Sequence, residues 1–149
     1  TFILADVLTY IIVLLLGTLI MCAVAVFGFG AQFYGNWGLL FLAFLLTTFA
    51  MYAMGYLLAA IAPSVQVANI FGFIVGFIMM FLSGATIPME VLPPAVQNIS
   101  RFIPLTYGVR LLKASWLQGS WEGQGLSVGV LLGVALICSA LAARFWRWE

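Results

Sequence analysis

Residues 38–62 read GLLFLAFLLTTFAMYAMGYLLAAIA, a run without one charged side chain, and Pro63 follows it. A helix needs about 20 apolar residues to cross about 30 Å of hydrocarbon, and this run has that length. Proline lacks the amide hydrogen that would continue the ladder, so the helix stops there. Apolar runs of similar length recur from Val7 to Phe29, from Val67 to Thr86 just before Pro88, and from Leu126 to Trp146, where the one charge, Arg144, stands near the end. Short polar connections, Gln32 to Trp37 and Pro63 to Asn69, suit antiparallel neighbours in a bundle. The chain is therefore expected to be an all-α membrane protein with four transmembrane helices, forming a single transmembrane domain over residues 1–149.

Composition leads to the same solvent. The chain is 66% hydrophobic and 6% charged, against about 45–50% and about 25% for soluble domains, so too few polar groups exist to coat a water-facing surface. Aromatic residues with a polar edge favour the headgroup level, and Trp37, Trp121, Trp146 and Trp148 stand at span ends. The rise from Trp121 to Trp146 is about 37 Å, close to the thickness of a bilayer with part of its polar layers. The sequence opens on Thr1 with the apolar pattern under way by Phe2 and no basic segment before it. That opening reads as an N-terminally truncated fragment rather than a signal peptide.

The long connection, 87–125 by the span ends above, breaks the pattern. From the end of the third span the chain runs Ser83-Gly84-Ala85-Thr86-Ile87-Pro88-Met89-Glu90-Val91-Leu92-Pro93-Pro94. It continues to Ile103 and then to Pro104-Leu105-Thr106-Tyr107-Gly108-Val109-Arg110. Pro94 suits the first position of a short helix, whose apolar face would hold Val96, Ile99 and Ile103 opposite Gln97, Asn98 and Arg101, with Pro104 ending it. A second short helix follows from Leu105 through Trp116, apolar at Val109, Leu112 and Trp116. Two such pieces joined at a proline predict a re-entrant or interfacial helical hairpin between the third and fourth spans, with Arg101, Arg110 and Lys113 reaching headgroups or partners.

Chemistry is sparse. Histidine is absent, Cys22 and Cys138 stand alone in apolar stretches, and no G-x-x-x-x-G-K-[ST] loop occurs, so no metal, nucleophilic or ATP-binding site is expected and the chain does not read as an enzyme. Net charge is +1 with no basic run, which argues against nucleic acid. No ionisable residue lies mid-span, which disfavours an ion-coupled carrier. Gly72 and Gly76, and Gly125, Gly129 and Gly133, recur at four-residue spacing and allow helices to approach closely, either within one chain or between subunits. Phe44, Thr48 and Tyr52 share a face of the second span, with Phe41, Met51 and Gly55 beside them and Tyr56 a turn further. That face fits interior packing or a path for an amphipathic substrate.

Phe81-Leu82-Ser83-Gly84, then Ile87-Pro88, Leu92-Pro93 and Pro104-Leu105-Thr106-Tyr107, followed by a last span with a short tail, together resemble the ABC-2 type transporter permease family. The resemblance covers the last half of the chain closely. It implies the last four of six spans of the transmembrane subunit of an ABC exporter, with the termini of this fragment cytoplasmic in a bacterial plasma membrane. It also implies an ABC ATPase subunit or fused domain carrying ATP and Mg, a second permease copy, and an outer hairpin or gate shaped by Gly84, Pro88, Leu92, Pro93, Pro104, Leu105 and Tyr107. Charge does not fix the orientation: Arg144 and Arg147 lie at one end, and Arg101, Arg110 and Lys113 at the other. A membrane scaffold, or an ion-coupled carrier lacking its N-terminal part, are the competing readings.

Overall fold

The structure, a computed structural model, describes residues 2–145. The expected span end at Trp146, with Arg147 and Trp148, lies outside the described residues. All regular structure among the described residues is helical. Four helical stretches there are long and apolar enough to cross a membrane: Leu8–Gly28, Trp37–Ile61, Val65–Leu82 and Gly125–Phe145. The chain divides into two units, one ending at Tyr34 and the other beginning at Gly35.

The first unit is helix α1, Phe2–Ala23, continued by a π-helical turn over Val24–Gly28. Leu8, Ile12, Leu16, Leu19 and Met21 are all exposed. The Thr9 and Thr18 hydroxyls donate to the carbonyls of Ala5 and Leu14, each at 2.8 Å, so neither faces lipid with an unmet donor.

The second unit begins where the Asn36 side chain accepts from the amides of Gly38 and Leu39, capping α2, Trp37–Ile61. Helix α3, Val65–Leu82, starts two residues before the expected Val67, because the Ser64 hydroxyl caps it by accepting from the Val67 amide. It also stops short of the expected Thr86. Gly84 has φ +80, a left-handed conformation that glycine adopts without a side-chain clash, so the turn precedes Pro88 and does not depend on it. After a 3₁₀ turn at Met89–Val91 come α4, Pro94–Ser100, α5, Pro104–Leu117, and α6, Gly125–Phe145. Pro94 is the first residue of α4 as expected. Pro104 opens α5 instead of closing α4, since its fixed φ and missing amide suit a helix start.

The core forms where α5 and α6 cover α2. Buried Ala43 and Ala50 of α2 share one cluster with Tyr107 and Leu111 of α5 and with Leu131 and Ala135 of α6. Ala43 and Leu131 each lie six residues into their helices (37 to 43, 125 to 131) and share one cluster. Ala53 and Tyr56 share a cleft with Ser139 and Ala142. The two helices therefore run parallel and in step. Lipid supplies no hydrophobic drive for their contact, so small side chains and close van der Waals approach hold it.

Candidate functional site: the re-entrant hairpin

The hairpin is built by side chains that bond backbone. The Gln97 amide donates to the carbonyls of Met89 and Leu92, both at 2.9 Å, and so ties the 3₁₀ turn to α4. The Ser100 hydroxyl lies against the carbonyls of Leu82 and Val96. Leu82 ends α3, where carbonyls lack helical partners, so Ser100 meets a need that lipid cannot. Consequently the inward side of α4 carries Ser100 and half-buried Val96 and Gln97, while Ile99 is exposed. The expected grouping of Val96, Ile99 and Ile103 against Gln97 is therefore corrected, because Ser100 and Gln97 are drawn inward by the carbonyls they serve.

Three contacts fix how α5 lies on α2. At its C-terminal end the Asn36 amide donates to the Ser115 carbonyl at 3.2 Å, and the rings of Trp37 and Trp116 meet edge-on at 6.5 Å. Toward its N-terminal end, Gly108 lies against Thr47, so closely that a Cβ there would collide with the threonine side chain. Thr47 stands ten residues beyond Trp37 in a helix of 25, about 15 Å along an axis of about 36 Å. Helix α5 thus runs antiparallel to α2, and Pro104, a turn before Gly108, lies near the middle of the span. The hairpin is re-entrant, not interfacial.

Tyr107 locks the tip. Its hydroxyl donates to the Arg101 carbonyl at 2.7 Å, and its ring carries the Arg110 guanidinium 5.6 Å from the centroid. Farther along α5, the Trp121 indole donates to the Ser115 hydroxyl at 2.8 Å, which donates to the Leu111 carbonyl at 2.8 Å. Trp121 is therefore held by protein rather than free at the headgroup level. The inward face of α5 holds Thr106, Tyr107, Leu111, Ala114 and Ser115, while Val109, Leu112 and Trp116, expected to form its apolar side, are half-buried. Thr106 is fully buried and its hydroxyl has no hydrogen-bond partner among the described residues.

Of the expected gate residues, Gly84 forms the turn after α3, Pro88 and Leu92 flank the 3₁₀ turn, Pro93 precedes α4, and Pro104, Leu105 and Tyr107 form the first turn of α5. Phe44, Thr48 and Tyr52 are half-buried along α2. Only Tyr52 of the three lines a cavity of about 420 Å³, with Met51, Gly55, Tyr56 and Ala59. Tyr56 also lines a second cavity of about 230 Å³ against α6. A methyl added at Gly72, Gly76, Gly125, Gly129 or Gly133 would meet nothing within 4 Å, so these glycines do not make the close contacts among the described residues. The alanine face of α2 makes them, and its i, i+4, i+7 spacing at Ala43, Thr47 and Ala50 was open to the same small-residue argument.

The ABC-2 type transporter family matches residues 1–117. The chain is 30% identical over 102 residues to Nodulation protein J of Rhizobium meliloti (strain 1021), covering 68% of this chain and 39% of that protein. It is 34% identical over 86 residues to Nodulation protein J of Rhizobium leguminosarum bv. viciae, covering 58% and 33%. It is 26% identical over 129 residues to the uncharacterized protein YhgE of Bacillus subtilis (strain 168), covering 87% and 16%. The chain thus spans less than half the length of these curated relatives. No solved structure matches it. By its sequence match the chain belongs to the ABC-2 type transporter family, and its four long apolar helices make it an integral membrane protein.

Proposed function

We propose that the chain is part of the permease subunit of an ABC exporter, moving an amphipathic substrate with energy from ATP hydrolysed on a partner ATPase. The single observation that carries this reading is the hairpin. Its backbone leaves helical geometry near mid-span, and such backbone is tolerated in a membrane only where it is buried in protein or lines water. A hairpin held by Gly108 on Thr47 and by Tyr107 on Arg101 serves as the outer gate. Tyr52 and Tyr56 offer aromatic faces along the path below it.

In this reading a second permease copy completes the path, and ATP and Mg bind the partner, whose closure is passed to the spans. The hairpin side faces outward, and the Arg144 end of α6 lies in the cytoplasm. The bacterial sources of the relatives support a plasma membrane. The test is to tag the intact protein in its native cells, extract it in mild detergent and identify what remains bound in stoichiometric amount. A P-loop ATPase, or an ATPase domain in the intact chain, is expected. Its absence after chemical cross-linking in the membrane contradicts the reading and favours a scaffold.

A further inference from the structure

The α4–α5 turn carries a charge to a depth where lipid does not accept one. Arg101 and Phe102 form the tip; Arg101 is exposed and Phe102 is 89% exposed. The Arg101 carbonyl is held by Tyr107, one residue from the Gly108 contact with Thr47, so the tip lies about 15 Å or more along α2 from Trp37. That distance exceeds what one side chain spans, so the guanidinium cannot snorkel to the headgroups beside Trp37.

No acidic side chain among the described residues meets it. Its backbone is held through its amide and its carbonyl, while its guanidinium has no partner among the described residues, and Glu90 and Glu122, both exposed, make no ion pair with it. A bare arginine facing hydrocarbon near the bilayer centre costs about 2.5–3.5 kcal/mol even on the mildest scale, which is why such groups face water-filled cavities or bind anions. The fold itself makes no use of this side chain.

We propose that Arg101 is an anion-recognition residue at the inner end of a water-filled path. Its guanidinium takes a phosphate, sulfate or carboxylate of an amphiphile whose apolar part lies on Phe102. A single fixed cation in a low-dielectric wall attracts anions and repels cations, which sets a charge preference without an ion-coupled carrier's titrating group. In naming the amphiphile as cargo, the inference rests on the permease reading above.

The test uses the intact transporter in membranes, with Cys22→Ala and Cys138→Ala removing the native thiols. Phe102→Cys is then reacted with an anionic and a cationic methanethiosulfonate in parallel. Both reagents are expected to label it. Phe49→Cys, 58% exposed on α2 at a similar depth, is expected to stay unreactive toward both. Adding Arg101→Gln is expected to lower the anionic-to-cationic rate ratio about fivefold, the size expected for one unit charge a few ångströms away in salt water, while Arg101→Lys keeps the ratio. Phe102→Cys as inert as Phe49→Cys overturns the proposal, since the tip then faces lipid or protein. Labelling with a ratio unchanged by Arg101→Gln overturns it as well. Either failure leaves the ATPase co-purification, on which the permease reading stands, unaffected.

Discussion

Helices α2 and α3 are adjacent spans of similar apolar character, yet α2 buries Ala43, Thr47, Ala50 and Ala53, whereas α3 buries only Met79. The difference lies in size, not hydrophobicity. The α3 surface is crowded with Phe71, Phe73, Ile74, Phe77 and Ile78, all exposed, and the Phe77 ring meets Phe73 and Phe81 of its own helix. In water those rings would be driven inward. In lipid they are already solvated, and the face that packs is the one where backbones approach most closely.

The largest expected effect tests that contrast directly. Ala50→Leu, at a fully buried position, forces bulk between α2 and its neighbours and costs about 3 kcal/mol. Gly76→Leu adds more atoms on α3 into open space and leaves stability unchanged or slightly raised, since leucine is the better helix former. Thermal unfolding of the purified intact protein compares the two. An equal loss in both would break the contrast.

A smaller effect concerns what covers α2. Tyr107→Phe removes the hydroxyl that holds the Arg101 carbonyl but keeps the ring under Arg110. The expected cost is about 1 kcal/mol, together with faster hydrogen exchange at the α4–α5 turn; unchanged exchange there would deny the lock.

The smallest effect concerns the buried, unpartnered hydroxyl of Thr106. Thr106→Val keeps the shape and removes the unmet polar group, so stability should hold or rise by up to about 1 kcal/mol. A loss of that size would mean that the hydroxyl has a partner in the membrane.

Much of this was legible in the sequence because length and charge depletion suffice to find spans. Pro63 and Pro94 marked boundaries for stated chemical reasons, whereas the third span was expected to reach Thr86 and turns earlier, at Gly84. The helix faces were less legible. Apolar periodicity put Ile99 inward on α4, but Ser100 turns in because the Leu82 carbonyl ends α3 there. That demand belongs to a residue 18 positions away, beyond any local pattern. The glycines at 72, 76, 125, 129 and 133 stand out by their four-residue spacing, yet the close contacts fall on the alanines of α2. The depth of Arg101 was invisible as well, since it depends on Gly108 meeting Thr47. The flanking prolines indicated a hairpin without saying how far it descends.

That descent is the central claim, and one cross-link measures it. In a background lacking Cys22 and Cys138, Thr47→Cys is paired with Gly108→Cys in native membranes under mild oxidation, with Trp37→Cys and Phe102→Cys as the control pair. A Cβ built at Gly108 stands 3.2 Å from the Thr47 Cβ, near enough to the disulfide range of about 3.5–4.5 Å for small adjustments to close the bond. The re-entrant hairpin predicts a cross-link at 47–108 and none at 37–102. A cross-link at 37–102 with none at 47–108 would lay α5 along the membrane surface and contradict the account.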